Sequence, residues 1–107
     1  MKLHPAPFGM IKSGKKTFEL RLYDEKRQKI AVGDKISFTD RDSGDVTVKT
    51  VIGLHRFESF KELYNSLPLL KCGYTEEDVS LASPSDMETY YSPEEEKKYG
   101  VIGIELS

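Results

Sequence analysis

The sequence predicts an α+β fold, in which a small β-barrel or strongly curved mixed sheet carries helices inserted between its strands. Three observations predict it: a strictly alternating strand near residue 20, two β-branched segments in the middle of the chain, and an apolar segment that closes the chain after several helix signals. The closing strand must pair with strands far away in sequence, so the topology is non-local. At 107 residues, the chain is expected to form one domain, residues 1–107.

The first third of the chain predicts a short helix followed by a strand. The helix covers residues 7–12 and is broken at Ser13-Gly14, since glycine is the usual residue at a helix end. Residues 17–23 then alternate between two faces. Phe18, Leu20 and Leu22 share the apolar face, and the other face carries Thr17, Glu19, Arg21 and Tyr23.

The middle of the chain predicts a loop over residues 24–29, a turn at Gly33-Asp34 and then a hairpin. Its strands are residues 35–39 and 45–52, both rich in β-branched side chains. The aspartates of the connecting residues 40–44 do not have calcium-loop spacing. Counted from Asp40, the glycine is fifth rather than sixth and the twelfth residue is valine rather than glutamate.

The remaining elements are predicted from helix caps. Ser59 and Glu62 have the spacing of a capping box, which predicts a helix from there to about residue 67, with Phe57, Phe60 and Leu63 on its buried face. Ser83-Pro84 and Ser92-Pro93 start two more short helices. Residues 101–106 form the closing strand.

Composition places the chain in a reducing compartment. It has one cysteine, Cys72, which cannot form an internal disulfide and is expected to be a buried or unused thiol. The opening residues contain neither the apolar run of a signal peptide nor a membrane-spanning segment. We therefore expect a cytoplasmic protein that has no membrane partner.

The net charge of −2 conceals a strong polarity along the chain. Residues 1–35 hold nine Lys and Arg against four Asp and Glu, a balance of +5; residues 36–72 hold five and five. Residues 73–107 hold two and nine, a balance of −7. A basic surface that attracts anions can therefore exist in an acidic protein, although both charge sets could also serve solubility alone.

No metal site and no cofactor are expected. His4 and His55 are far apart in sequence and neither has a paired ligand spacing. Glycine-rich phosphate loops and nucleophile elbows are also missing.

The segment of residues 14–21 carries the main candidate site. Alternate strand positions place Glu19 and Arg21 on one face, about 6.5–7 Å apart, with Thr17 on the same face and Lys16 entering at the glycine bend. One acceptor among several donors suits a ligand with an anionic group and hydrogen-bonding edges, such as a nucleotide. The alternative is a surface salt bridge, worth at most about 1 kcal/mol.

At this segment the sequence resembles the ASCH family of the PUA-like superfamily, whose pattern is G-x-K-x-x-E-x-R. Gly14, Lys16, Glu19 and Arg21 fill its four fixed places. Residues 32–38, 57–63 and 99–104 also resemble the family, so the resemblance covers nearly the whole chain. It implies a PUA-like small mixed β-barrel in which the lysine, glutamate and arginine face a ligand in a cleft between barrel and helices.

The resemblance implies RNA or a modified nucleoside as ligand, bound by Lys16, Glu19 and Arg21. Thr17 and Tyr23 share the strand face of Glu19 and Arg21 and are further candidates for ligand binding. Tyr90 and Tyr91 could add stacking surfaces or simply pack over the barrel end. One bacterial branch of the family hydrolyses the amide of an acetylated cytidine nucleoside with a lysine, a threonine and a glutamate. Lys16 matches the lysine, but Glu19 occupies the position of the threonine, so this activity is not carried over.

Two other functions stay open at the level of sequence. Lys16 and Glu19 could be catalytic groups of a hydrolase that acts on a nucleoside amide or on single-stranded RNA, with the carboxylate activating water. Alternatively, the acidic helices between residues 76 and 96 could form a protein-interaction module.

Overall fold

The computed structural model describes residues 1–107, which form five strands and three α-helices. The strands are β1 (Lys2–Leu3), β2 (Phe18–Leu22), β3 (Lys35–Asp40), β4 (Val46–Phe57) and β5 (Val101–Leu106). The helices are α1 (Pro5–Ser13), α2 (Phe60–Ser66) and α3 (Pro93–Tyr99). Short 3₁₀ helices lie at Arg27–Lys29, Leu69–Lys71, Val79–Leu81 and Pro84–Thr89.

The strands form a curled, half-barrel sheet in the order β1-β3-β4-β5-β2. β1 runs parallel to β3, and the other neighbours are antiparallel. The predicted α+β class is confirmed. The closing strand β5 lies between β2 and β4, so the predicted non-local pairing is confirmed as well.

Strand β4 continues five residues beyond its predicted end because a β-bulge between Val51 and Gly53 redirects it. The part before the bulge pairs with β3, and the part after it pairs with β5. At Gly53 a Cβ would lie 2.8 Å from Oε1 of Glu105, so a larger residue there would displace the Glu105 side chain. The extension places Phe57 at the end of a strand, so its predicted place on the face of the following helix is wrong.

The predicted helix caps are present, with two differences in detail. The Ser59 side chain accepts a hydrogen bond from the backbone N–H of Glu62, but the Glu62 carboxylate accepts from the N–H of Glu58 rather than from that of Ser59. Ser83 and Ser92 both form complete capping boxes. The first of these begins a 3₁₀ helix and the second begins α3.

Two apolar clusters pack on the sheet, and β5 contributes to both. One cluster lies under α1 and includes Phe8, Ile11, Phe38, Ile102 and Ile104. The other lies under α2 and contains Phe18, Leu20, Leu22, Phe60, Leu63, Tyr64, Cys72 and Val101. The predicted apolar face of β2 therefore packs entirely in the α2 cluster. None of the helices has the length and apolarity needed to cross a bilayer.

Candidate ligand-binding site

The polar face of β2 lies on the side of the sheet that α1 covers. Glu19 pairs with Ile104 and Arg21 pairs with Ile102 in the antiparallel ladder with β5. Residues opposite each other in such a ladder share a face, and both isoleucines belong to the cluster under α1. Glu19 is only 4% exposed, so its ion pairs are not the surface salt bridge that the sequence left open as an alternative.

Glu19 lies between two cations. Its Oε1 accepts a hydrogen bond of 3.1 Å from Nζ of Lys16, and its Oε2 lies 3.6 Å from Nη2 of Arg21. The side chains of Lys16 and Arg21 are 10% and 20% exposed. Oε2 is buried and has no hydrogen-bond partner in the protein, since Arg21 lies just beyond hydrogen-bond distance, so this strong acceptor keeps capacity for a further donor.

Lys16 is held in place by the loop between α1 and β2. Gly14 ends α1 in the left-handed conformation, at φ 83°, and its N–H bonds to the carbonyl of Ile11. The N–H of Lys16 then bonds to the carbonyl of Met10. The Lys16 side chain runs past Gly73, where a Cβ would lie 3.5 Å from its Cδ. Gly73 has φ 113°, a conformation that favours glycine.

These three side chains line a cavity of about 540 Å³ between the sheet and the helical part of the chain. Lys16, Glu19 and Arg21 form its sheet wall. The edge of α1 supplies Ala6, Pro7 and Met10, and residues 64–91 supply the opposite wall. Lys2, His4 and Arg41 also line it and are exposed. The cavity falls in the range of roughly 300–1,000 Å³ that is usual for small-ligand sites.

The structure separates Thr17 and Tyr23 from this cavity. The backbone of Thr17 bonds to Lys71 and Leu106, and its side chain is not part of the cavity wall. The ring of Tyr23 lies 4.0 Å from the guanidinium of Arg56, in a second, more open groove that also includes Tyr99. The geometry thus brings together Lys16, Glu19 and Arg21 but not the other two candidates.

Sequence reasoning missed a hydrogen-bonded chain in the opposite wall. The Tyr64 and Tyr74 hydroxyls are 2.7 Å apart, and the Tyr74 hydroxyl donates to Oδ2 of Asp86 over 2.7 Å. Burial raises the pKa of Tyr64, and burial together with these hydrogen bonds raises the pKa of Tyr74. No sequence pattern predicts this chain, because the three residues meet through tertiary packing.

The two tyrosines at the end of the 3₁₀ helix have different surroundings. Tyr91 stacks on Phe60, with ring centroids 6.0 Å apart and an angle of 16° between the rings. Tyr90 also lines the cavity but is 64% exposed. Tyr91 therefore serves packing, and the ring of Tyr90 is open to a ligand.

The cavity wall contains one thiol, Cys72, which is buried. Burial raises its pKa to about 11, so the thiol stays protonated near neutral pH and is a poor nucleophile. No three His, Cys, Asp or Glu side chains lie close enough together to hold a metal ion. The polar chemistry of the cavity is therefore that of ammonium, guanidinium, carboxylate, phenol and, at His4, imidazole groups.

Several side chains of the acidic segment accept backbone hydrogen bonds. Asp78 accepts from Thr75, and Asp86 and Glu95 accept within their capping boxes. Glu96 accepts from the N–H of Phe60 over 2.7 Å, at the start of α2. A share of the C-terminal negative charge thus stabilises helix ends, where carboxylates are favoured.

Comparison with known proteins extends the resemblance to the whole chain. A family model of the ASCH domain matches residues 1–107. No curated protein matches the sequence. The crystal structure of hypothetical protein PH0355 is 37% identical with a TM-score of 0.78, over 100% of this chain and 94% of that one. The solution NMR structure of protein PF0455 from Pyrococcus furiosus is 34% identical with a TM-score of 0.72, over 100% and 93%.

Proposed function

Because the chain belongs to the ASCH domain family, which is often linked to RNA binding, we propose that it binds RNA or a modified nucleoside or nucleotide. The ligand occupies the cavity between the curled sheet and the helices and contacts Lys16, Glu19 and Arg21. One observation carries the proposal. A buried carboxylate with one unpartnered oxygen lies between two cations at the wall of a cavity of about 540 Å³.

The charges of the sheet wall favour an anionic ligand. Lys16 and Arg21 together carry one positive charge more than Glu19 neutralises. Glu19 has one free acceptor, so the same wall can accept an N–H or O–H donor while the cations bind a phosphate. A single nucleotide carries both a phosphate, which the cations can bind, and donors on its base or ribose, which Glu19 can accept.

The opposite side of the cavity offers a stacking surface for a base. The ring of Tyr90 is exposed beside the cavity, and base–aromatic stacking contributes about 1–3 kcal/mol per base. The acidic residues 73–107 repel a long polyanion. A short single strand or a single nucleotide therefore fits better than a duplex.

Direct binding measurements test this function. The probes are nucleoside monophosphates and a single-stranded RNA of about six nucleotides, titrated by calorimetry at several salt concentrations. Affinity for the RNA should decrease as salt increases. Lys16→Ala and Arg21→Ala should each weaken binding about tenfold or more, because each removes a charge-assisted hydrogen bond from a buried site.

Lys61→Ala provides the matched control, since Lys61 is an exposed lysine on α2 outside the cavity. It should leave the affinity within about twofold. If the probes do not bind, or if the Lys16 and Arg21 variants bind as tightly as the control, the proposed site is wrong.

A hydrolase that uses Lys16 and Glu19 is the second candidate, because the two groups lie 3.1 Å apart in the cavity wall. In this case Lys16 polarises a carbonyl or phosphate and the Glu19 carboxylate activates water. Incubation with acylated nucleosides and with RNA should then give product that is lost in Glu19→Gln. Binding without product supports the first proposal.

A protein-interaction module would use the acidic helices instead. Glu94→Lys tests it, because Glu94 lies on α3 and is exposed. Partner binding that is insensitive to Lys16→Ala but lost in Glu94→Lys would favour that function.

A further inference from the structure

The hydrogen-bonded chain Tyr64–Tyr74–Asp86 has only one possible direction. The Asp86 carboxylate can only accept, so the single hydroxyl proton of Tyr74 is donated to Oδ2 of Asp86. The contact of 2.7 Å between the two tyrosine hydroxyls then requires Tyr64 to donate to Tyr74. The Tyr64 oxygen is left with lone pairs and no proton to offer.

Both phenols keep their protons at neutral pH. Burial is the main reason that the pKa values of Tyr64 and Tyr74 are raised. The direction of the chain is therefore not reversed by ionisation in the physiological range.

The cavity thus has an acceptor in each of two walls. Glu19, on β2, has an Oε2 that forms no hydrogen bond and lies 3.6 Å from Nη2 of Arg21, and Tyr64, on α2, has a hydroxyl oxygen whose proton is donated to Tyr74. Both residues line the same cavity and both are more than nine-tenths buried. A ligand that fills the cavity displaces water from both groups, so it must bring the matching donors.

We propose that Tyr64 is a specificity-determining residue that, together with Glu19, selects a nucleobase carrying an exocyclic amino group over its oxo counterpart. The proposal rests on the proposed function, since it identifies the class of nucleotide that the same cavity takes. Lys16 and Arg21 supply the donors for the ring acceptors or the phosphate of this ligand.

The physical reason for the selection is the cost of an unmatched acceptor. An amino group can donate to Glu19 or to Tyr64. A carbonyl at the same position places oxygen against oxygen, with no water to separate them. Base pairs of this kind, cytosine against uracil and adenine against hypoxanthine, differ little in shape, so shape alone does not distinguish them.

Matched pairs of nucleotides test the proposal in the intact protein. The probes are cytidine and uridine 5′-monophosphate, and adenosine and inosine 5′-monophosphate. In at least one pair, the nucleotide with the amino group should bind about tenfold more tightly than its oxo counterpart. A difference of this size is typical when one hydrogen-bond donor is matched or unmatched. In Glu19→Gln the preference should disappear or reverse, since the amide can donate to a carbonyl.

Tyr64→Phe removes the acceptor but keeps the ring in its apolar cluster, and the preference should fall several-fold. Tyr99→Phe is the matched control, because Tyr99 lies outside the cavity and lines the second groove. It should keep the full preference.

The results separate this proposal from the function on which it rests. Equal affinities within both pairs, with binding still lost in Arg21→Ala, would overturn the selection and leave nucleotide binding in place. A preference that is the same in wild type, Tyr64→Phe and Tyr99→Phe would remove Tyr64 as its source. Absence of binding by all four nucleotides and by RNA would overturn both.

Discussion

Lys16 and Glu19 form an ion pair that is almost closed to water, with Nζ 3.1 Å from Oε1 and side chains only 10% and 5% exposed. The same chain contains a second lysine–carboxylate pair for comparison. Lys12 and Asp45 approach to 2.9 Å, but their side chains are 54% and 58% exposed. The two pairs have similar distances and very different surroundings, so they separate the effect of burial from that of contact.

Replacing Lys16 by methionine should lower the free energy of unfolding by about 3 kcal/mol, because it leaves the buried Glu19 carboxylate without its closest cation. Lys12→Met should change it by less than about 1 kcal/mol, as exposed pairs contribute little. Urea unfolding of both variants measures the difference. Addition of Glu19→Gln to Lys16→Met should restore part of the loss, and equal effects of the two lysine variants would contradict the burial argument.

Replacement of Gly103 by alanine should lower the stability of the protein, and replacement of Gly9 by alanine should raise it. A Cβ at Gly103 would lie 2.5 Å from Cδ1 of Leu67, so Leu67 must move and Gly103→Ala should destabilise the protein by about 1–3 kcal/mol. Gly9 lies within α1, where an added methyl group would meet no atom within 4 Å, and Gly9→Ala should stabilise by about 0.5–1 kcal/mol. Thermal unfolding of the two variants shows directly whether each substitution raises or lowers the stability. A stable Gly103→Ala variant would show that Leu67 is free to rearrange.

Cys72 should make the protein less stable at alkaline pH. Its pKa rises through burial from the ordinary 9.0 to about 11, so the folded state holds the thiol proton more tightly than the unfolded state does. This contribution is complete below pH 9 and is lost as pH rises from 9 towards 11. Urea midpoints measured from about pH 8 to about pH 10.5 should fall less steeply in Cys72→Ala than in wild type. Parallel curves would mean that the thiol ionises at its ordinary pKa in the folded protein.

Much of the fold could be predicted because the elements concerned depend on residues that are close together in sequence. The alternation of Phe18, Leu20 and Leu22, the serine caps at Ser59 and Ser92 and the apolar closing strand each depend on neighbouring residues. The parallel strand β1 could not be predicted, since its two residues carry no periodicity and their pairing with β3 is purely tertiary. The full length of β4 depends on a bulge between Val51 and Gly53, which belongs to its pairing with the distant strand β5.

The candidate site was only half visible in the sequence. Lys16, Glu19 and Arg21 lie within six residues, so their motif could be recognised. Alternation alone could not show that both faces of β2 are covered or that Glu19 is almost completely buried. The opposite wall contains Tyr64, Tyr74 and Asp86. Their two hydrogen bonds join residues that are 10 and 12 positions apart in sequence, so no local pattern predicts them.

Binding of a nucleotide unit in the cavity beside Glu19 underlies both proposals, and NMR can locate the bound ligand residue by residue. Cytidine 5′-monophosphate and then a single-stranded RNA of about six nucleotides are titrated into ¹⁵N-labelled protein. We predict amide shifts concentrated at residues 16–21, at Gly73 and at Tyr90, and their loss in Arg21→Ala. Shifts confined to the groove of Lys97, Lys98 and Tyr99, or no shifts with either probe, would contradict this binding site.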